Sequence, residues 1–158
     1  MKLILIVAVG KNNELGKDNN LIWHIKEDLQ FFKKMTINHK ILMGKNTFLS
    51  FPKPLKDRKH LVISTSLESS HEDVEIFRSI EDFYKKYEST DEEIYVIGGA
   101  SIYKALIDEC EELYLTEIDS SFEADCFFPK FDKSAYDREV LSSFDEPYSY
   151  KHVIYKKR

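Results

Sequence analysis

Cysteine is scarce in this 158-residue sequence, which contains Cys110 and Cys126 and has no CxxC spacing. Two isolated cysteines cannot build the disulfide framework of a small secreted domain, so we expect free thiols in a reducing cytoplasm. Long apolar runs are also missing, because the run at residues 3–9 is far shorter than the ~20 apolar residues of a membrane span. No A-x-A-like cleavage site follows it. We therefore interpret this run as the buried first strand of a cytoplasmic protein.

The sequence has no excess of positive charge. Its formal net charge is −5 and its pI is about 5.6. Proteins that bind nucleic acids or acidic membranes usually carry a basic surface, so we expect neither kind of partner. The hydrophobic fraction of 42% and the charged fraction of 32% are ordinary for a globular protein. Because repeats, low-complexity tracts and linkers are absent, residues 1–158 are expected to form one domain. We also expect a monomer.

Several catalytic motifs are absent as well. There is no G-x-S-x-G or H-E-x-x-H motif, and the five histidines show no metal-ligand spacing, so we expect no metal site. Gly44-Lys45 does not end a Walker A loop, because residue 39 is a histidine where that motif requires glycine. The Gly98-Gly99 segment does not fit the G-x-G-x-x-G pattern of a standard Rossmann protein.

Short apolar, β-branched runs recur along the chain and alternate with helical patterns. The runs are residues 3–9, 40–43, 60–65, 74–77, 93–97 and 112–118, and the helical patterns are residues 25–36, 45–51, 79–88 and 99–108. Runs that are apolar at nearly every position are typical of parallel strands covered on both faces. Residues 138–144 and 149–157 instead predict an antiparallel hairpin at the sheet edge. The sequence thus predicts an α/β fold with a mainly parallel central sheet of about eight strands, flanking helices and a C-terminal antiparallel hairpin.

All five glycines lie at or just beyond the ends of predicted strands, or in the loop after the first strand. Ligands of open α/β sheets bind outside the carboxyl ends of the strands. Two of the glycine turns join a strand to a helix, at Gly44-Lys45-Asn46-Thr47 and at Gly98-Gly99-Ala100-Ser101, and free backbone N–H groups there favour phosphates. Together the two turns predict an extended anion such as a dinucleotide.

Asp28 interrupts the apolar stripe of the first helix. Ile25, Leu29, Phe32 and Met35 share that stripe at helical spacing, and Asp28 falls within it. Burying a lone charge is costly, so this carboxylate must be paired, neutral or bound to a ligand. Two interpretations stay open at this point: a core aspartate satisfied by backbone amides or an arginine, or an acid that serves a ligand in an apolar cleft.

Six segments, in this order and at this spacing, closely resemble bacterial dihydrofolate reductase. They are Leu21-Ile22-Trp23, Asp28, residues 43–47, Pro54-Leu55 with Arg58, residues 97–100, and Tyr114-Leu115-Thr116. The likeness covers essentially the whole chain. It implies NADPH-dependent reduction of 7,8-dihydrofolate to 5,6,7,8-tetrahydrofolate, with hydride transfer to pterin C6 and protonation at N5. It also implies a role in one-carbon metabolism and inhibition by antifolates.

The resemblance implies a substrate site centred on Asp28, which would bind the amino-pyrimidine edge of the pterin and help deliver a proton to N5. Thr116 would link Asp28 to the pterin amino group, and Trp23 would hold an ordered water and wall the site. Arg58 would fork onto the glutamate α-carboxylate, a geometry that suits guanidinium. The other implied substrate contacts are Ile6, Val7, Ala8, Leu29, Phe32, Phe51, Lys53, Leu55, Ile97 and Tyr103.

For NADPH, the resemblance implies a nicotinamide wall and a 2′-phosphate site. The wall would comprise Ala8, Leu15, Gly16 and Tyr103, and the 2′-phosphate would contact Lys45, Thr65 and Arg78. The remaining implied cofactor contacts are Asn19, Gly44, Asn46, Thr47, Ser64, Ser66, Ile97, Gly98, Gly99, Ala100, Ser101 and Ile102. Residues 10–24 resemble the mobile loop that closes the site. Gly98-Gly99 matches the cis peptide of the family.

Four positions depart from the family pattern. Ile22 replaces a usual proline, Asp57 a usual glycine, and Lys45 a frequent arginine, while Ser101 stands where some members have a second basic residue. Lys45 and Ser101 weaken the preference for NADPH over NADH.

Two other hypotheses for the function are a reductase of the same fold acting on a ribosyl-aminopyrimidine and a non-catalytic nucleotide-binding module. Asp28, Trp23 and Arg58 argue against the first, and Asp28 with both glycine turns argues against the second.

Overall fold

The structure is a computed structural model that describes residues 1–17, 20–21 and 23–158, with the backbone alone described at residues 17, 20 and 21. Its helices are α1 (Lys26–Thr36), α2 (Lys45–Leu49), α3 (Ile80–Tyr87) and α4 (Ala100–Leu106), with 3-10 turns at Ile107–Glu109 and Lys133–Ala135. Its strands are β1 (Lys2–Val9), β2 (Glu14–Lys17), β3 (Asn20–Leu21), β4 (Lys40–Gly44), β5 (Lys59–Ile63), β6 (Val74–Phe77), β7 (Glu93–Gly98), β8 (Glu112–Ile118), β9 (Cys126–Phe127), β10 (Tyr136–Phe144) and β11 (Tyr150–Lys157).

An eight-stranded sheet forms the centre of the described chain, in the order β10-β11-β8-β1-β7-β4-β5-β6. The six strands from β8 to β6 in that order are parallel, and β11 and β10 are antiparallel additions at one edge. The predicted α/β class, the eight strands and the C-terminal hairpin are therefore confirmed. The four predicted helices are also present, within a few residues of their expected ends.

Alternation along β1 shows why this sheet needs helices on both faces. Leu3 and Leu5 point into a cluster with Phe83 of α3 and Leu106 of α4, whereas Ile4 and Ile6 point into a cluster with Phe32 of α1. Successive strand residues face opposite sides of a sheet, so an uninterrupted apolar run fills two cores at once. We call the second side, which carries α1, the α1 face.

A second, three-stranded sheet in the order β3-β2-β9 was not predicted. The sequence prediction treated residues 10–24 as a loop, but β2 pairs with both β3 and β9. These strands are four, two and two residues long. Such short segments carry too little alternation for a periodicity argument to detect them. The small sheet joins the segment after β1 to the segment before β10.

Two local features of the fold are a helix cap and a strand bulge. Ser79 caps α3 by accepting the Asp82 N–H at 3.1 Å. In β10 a bulge between Val140 and Ser142 leaves Leu141 outside the regular pairing with β11.

Both cysteines, Cys110 and Cys126, are free thiols. No helix in the described part of the chain has the length and apolar character needed to cross a bilayer.

Candidate active site

The candidate site lies on the α1 face, at the carboxyl ends of the parallel strands. Helix α1 follows Trp23 and Ile25 and crosses this face, so its first turns stand beside the ends of β1 and β8. The packing of α1 differs from the predicted stripe. Leu29 is 52% exposed, while Phe31 packs on the α1 face and contacts Tyr114 and His152. Phe32 and Met35 of the predicted stripe pack on the same face, so Phe31 joins the buried side of α1 and Leu29 does not.

Asp28 lies at the centre of the site and has two polar partners from the sheet. Thr116 on β8 donates its hydroxyl proton to Asp28 Oδ1 at 2.5 Å. His152 Nε2 on β11 lies 3.2 Å from the same oxygen. The Asp28 side chain is 19% exposed, so the carboxylate is half-buried and reaches solvent at the cleft. The structure thus brings together the predicted pair Asp28 and Thr116 and adds His152, which sequence reasoning missed.

Five predicted substrate contacts converge on the α1 face as an apolar wall. They are Ile6, Phe32, Phe51, Leu55 and Ile97, which pack in one cluster. The side chain of Val7 packs in the cluster on the opposite face, because it neighbours Ile6 on a strand, so Val7 can face the α1 side only through its backbone. Lys53 is exposed.

Arg58 is buried beside Thr36, the last residue of α1. Its side chain is 7% exposed, and it donates to Thr36 Oγ1 at 3.1 Å and to the Lys56 carbonyl at 3.0 Å. Burial lowers its pKa, and the charge of Asp57 opposes that shift. No carboxylate of the described residues forms a salt bridge with it. A buried guanidinium held by neutral oxygens is suited to bind a carboxylate ligand.

Asp57, where the family usually has glycine, adopts φ 59°. This left-handed region favours glycine, and aspartate is among the residues that tolerate it. The departure from the family pattern therefore leaves the turn before Arg58 in place. The Asp57 carbonyl also accepts the Asn38 N–H at 2.8 Å, which ties the turn to the end of α1.

His60 is a second residue that sequence reasoning missed. It is fully buried, its Nε2 accepts the Leu55 N–H at 2.9 Å, and its Nδ1 lies 3.0 Å from the Arg58 carbonyl. Both bonds form together when Nδ1 carries the proton and donates it. Burial is the main cause that lowers the pKa of His60. A neutral histidine therefore holds the segment that carries Leu55 and Arg58.

The two glycine turns lie side by side at the carboxyl ends of the adjacent strands β4 and β7. A Cβ added at Gly99 would lie 3.6 Å from Thr47 Oγ1, and one added at Gly44 would lie 3.3 Å from Ile102 Cγ1. The Gly98-Gly99 peptide is cis, as the resemblance implies. Gly98 has φ 125°, a conformation that side chains rarely adopt, and Tyr103 lies directly against it. The structure thus places the predicted residues 44–47 and 98–103 in one region.

Tyr103 links the second glycine turn to β1, because it packs against Gly98 and bonds to Ile6. Its hydroxyl donates to the Ile6 carbonyl at 2.9 Å, and burial raises its pKa, so it remains a donor. Its ring belongs to the cluster on the face opposite α1, as does Leu15. Ala8 packs instead with Trp23. The residues expected to form a nicotinamide wall therefore come from both sides of the end of β1.

A small polar cluster follows β5. Lys45 Nζ donates to Ser66 Oγ at 2.9 Å, and Ser64 Oγ accepts the Ser66 and Leu67 N–H groups. Arg78 donates to the Ser64 and Leu67 carbonyls and to Glu68 at 2.7 Å. Lys45 forms no salt bridge with any acidic residue that the structure describes. The predicted residues 45, 64, 66 and 78 are thus neighbours, and the exposed Thr65 lies between two of them.

Trp23 closes the opposite end of the site. It is 5% exposed, packs edge-on against Phe122 and Tyr148, and its Nε1 has no hydrogen-bond partner among the described residues. A Cβ added at Gly10 would lie 2.8 Å from Trp23 Cζ2 and 2.5 Å from Glu14 Oε1, so only glycine fits there.

Glu14, which was not predicted, ties the segment after β1 to the segment after β8. Its carboxylate accepts hydrogen bonds from the Asn12 N–H at 2.6 Å, Ser121 Oγ at 2.5 Å and the Phe122 N–H at 2.9 Å. Burial raises its pKa, but these bonds outweigh burial and the net pKa is lowered. The predicted contact Asn19 and the family departure at Ile22 lie outside the described residues.

Comparisons with known proteins agree with this geometry. The dihydrofolate reductase family profile matches residues 2–157. Dihydrofolate reductase of Bacillus subtilis (strain 168) is 39% identical over 159 residues, which cover 97% of this chain and 93% of the relative. Dihydrofolate reductase of Staphylococcus aureus (strain N315) is 33% identical over 165 residues, with 99% and 100% coverage.

Among solved structures, dihydrofolate reductase from Enterococcus faecalis complexed with NADP(H) and RAB-propyl superposes with a TM-score of 0.89. It is 30% identical and is matched over 96% of its length and 99% of this chain. Profile, sequence relatives and structure agree over nearly every residue. The chain therefore belongs to the dihydrofolate reductase family.

Proposed function

We propose that Asp28 and its neighbours carry the NADPH-dependent reduction of 7,8-dihydrofolate to 5,6,7,8-tetrahydrofolate in this chain. Membership of the family makes the chain an NADPH-dependent oxidoreductase. The single observation that carries the residue assignment is the half-buried carboxylate of Asp28, with Oδ1 bound to Thr116 at 2.5 Å. No donor among the described residues occupies Oδ2. That oxygen is therefore free to accept hydrogen bonds from the amino-pyrimidine edge of the pterin.

Asp28 then has two tasks. It orients the pterin through its carboxylate, and it helps deliver a proton to N5 of the substrate. Thr116 holds Oδ1, which limits rotation of the carboxylate. Trp23 walls the site, and its partnerless Nε1 suits an ordered water. A positioned acid of this kind contributes about 10²–10⁴-fold to a rate.

The rest of the substrate fits the apolar wall and Arg58. Ile6, Phe32, Phe51, Leu55 and Ile97 offer an apolar slot for the pterin and aminobenzoyl rings. Arg58 would bind the glutamate α-carboxylate at the end of that slot, with help from Lys53. Antifolates of similar shape would occupy the same slot. The Enterococcus faecalis relative is complexed with NADP(H) and RAB-propyl. That complex supports the binding of a cofactor and of a second small molecule by this chain.

The residues at the glycine turns fit NADPH. When bound, NADPH supplies the hydride that reduces pterin C6. The lack of side chains at Gly44, Gly98 and Gly99 lets Ile102, Tyr103 and Thr47 pack closely against the two turns. Lys45 has no acidic partner within the described chain and lies beside Ser66 and Thr65, which suits the 2′-phosphate. Ala8, Leu15 and Tyr103 would bound the nicotinamide end.

We also propose that the chain acts in the cytoplasm as a monomer. Its free thiols suit a reducing compartment. Sedimentation at micromolar concentration would test the monomer, and a dimer would contradict it.

Oxidation of NADPH, followed by absorbance, tests the proposed function. We expect oxidation that requires dihydrofolate, and loss of it in the Asp28→Asn variant. Turnover of a ribosyl-aminopyrimidine in place of dihydrofolate would indicate the related reductase. Binding of NADPH without turnover of either substrate would indicate a nucleotide-binding module.

A further inference from the structure

His152 is the buried polar residue nearest to Asp28 that the proposed function does not use. It lies on β11 directly opposite Thr116 of β8 in the antiparallel ladder. Neighbouring residues in a ladder point to the same face. The imidazole Nε2 and the Thr116 hydroxyl therefore reach the same oxygen, Asp28 Oδ1, at 3.2 and 2.5 Å. The His152 side chain is 4% exposed.

The imidazole is held in one orientation by its other neighbours. Phe31 of α1 stacks on it with a centroid distance of 4.1 Å and an interplanar angle of 16°. Ser142 Oγ lies 3.2 Å from Nδ1. The bulge in β10 is what places Ser142, rather than Leu141, opposite His152. A serine hydroxyl can donate to Nδ1, which leaves the Nε2 proton for Asp28.

The groups that face the ring are few. Helix α1 presents Asp28 and Phe31, β8 presents Thr116, β10 presents Ser142 and Phe144, and Tyr150 lies beside the ring on β11. Among the described residues, Asp28 is the one charged group within hydrogen-bond distance of the ring. The histidine is thus arranged to serve this carboxylate.

We propose that His152 is a positioning residue for the reaction: with Thr116 it fixes Asp28 Oδ1 and keeps Oδ2 directed toward the pterin. This inference rests on the proposed role of Asp28. Two donors on one oxygen restrict carboxylate rotation more than one donor does. Loss of His152 therefore lowers the rate of the protonation-dependent step and alters its pH profile, and it leaves NADPH binding unchanged.

A double-mutant cycle tests the proposal. His152→Phe keeps a ring for Phe31 to stack on and removes both hydrogen bonds. We expect kcat with dihydrofolate to fall on the order of tenfold, the scale of coupling between contacting residues, with KM for NADPH unchanged. His152→Gln, which retains an N–H donor, should recover part of the rate. In an Asp28→Asn background, His152→Phe should have little further effect. His39→Phe is the matched control, because His39 packs on Tyr95 and is outside the site.

The outcomes separate the two proposals. A normal rate in Asp28→Asn overturns the proposed role of Asp28 itself. An impaired Asp28→Asn with a His152→Phe variant of normal kcat and pH profile overturns the positioning role alone. Equal losses from His152→Phe in both backgrounds mean that His152 acts through packing, which also overturns it.

A spectroscopic measurement tests the contact even if the His152 variants fail to fold. The ¹⁵N signals of the His152 ring should differ between the wild-type protein and the Asp28→Asn variant, and those of His39 should not. Unmoved His152 signals mean that the contact is absent, and the proposal falls.

Discussion

The ring of His60 joins the backbone of Leu55 to the backbone of Arg58, accepting the N–H of one at 2.9 Å and lying 3.0 Å from the carbonyl of the other. A protonated His60 could not accept the Leu55 N–H. Burial already disfavours that charged form and lowers the pKa of His60, and the nearby Arg58 charge adds to the effect. The loop that carries Leu55 and Arg58 is therefore sensitive to acid.

The stability of the protein should fall below about pH 6.5, where an unfolded histidine takes up a proton that native His60 resists. Because the folded pKa is lowered, this contribution is complete above the unfolded pKa and is lost as the pH falls to the folded one. His60→Gln should flatten the wild-type slope by up to ~1.4 kcal/mol per pH unit. Urea unfolding across this range measures it. Equal slopes in both proteins would show that His60 does not titrate on unfolding.

Asp28→Asn keeps the shape of the side chain and removes its ionisable group. We expect NADPH binding and the fold to survive, while turnover near neutral pH falls by about 10²–10⁴-fold. The deficit should shrink at lower pH, because solvent then supplies protonated dihydrofolate without help from the protein. Steady-state rates across pH provide the measurement. An unchanged rate and profile would reduce Asp28 to a structural residue.

Arg58→Ala should weaken dihydrofolate binding by roughly 1.5–3 kcal/mol, the range for hydrogen bonds to charged groups. Arg58 also donates to Thr36 and to the Lys56 carbonyl, so part of any loss could be structural. A pterin without the glutamate tail is the control, and it should bind the variant and the wild type equally in a titration of ligand binding. If the tail-less compound loses as much affinity, the assignment of Arg58 is wrong.

Lys45→Ala should raise KM for NADPH about tenfold, equivalent to ~1.4 kcal/mol, and leave KM for NADH nearly unchanged. Its Nζ contacts a serine hydroxyl and no described acidic residue, so its charge is available to a 2′-phosphate. Ser66→Ala removes that contact and keeps the charge, and it should therefore have the smaller effect. Equal losses for both cofactors would show that Lys45 does not read the 2′-phosphate.

The large sheet could be predicted because each of its parallel strands is an apolar run bounded by turn residues. The small sheet could not, since β3 and β9 have two residues each. Asp28 could be identified as unusual from its own helix. Its contact with His152 could not, because 124 residues separate them and only the pairing of β11 with β8 brings them together.

The direction that a side chain takes from its strand or helix explains two of the other differences. Ile6 and Val7 are adjacent in sequence, and alternation sends their side chains to opposite sides of the sheet. A resemblance in sequence does not state which face each residue takes. Leu29 and Phe31 are both apolar residues of α1, and the position of the helix over β8 and β11 decides that Phe31 is the one that packs.

The position of β11 between β8 and β10 has a consequence for the order of folding. Within the large sheet β10 pairs with β11, so β10 cannot join the sheet before β11 has docked on β8. Until β11 pairs with it, β10 is a nine-residue segment with an unsatisfied backbone, and its apolar Val140 and Leu141 stay exposed even after pairing. Asp137, Arg138 and Glu139 precede those residues, and charges of this kind oppose pairing with other copies of the chain.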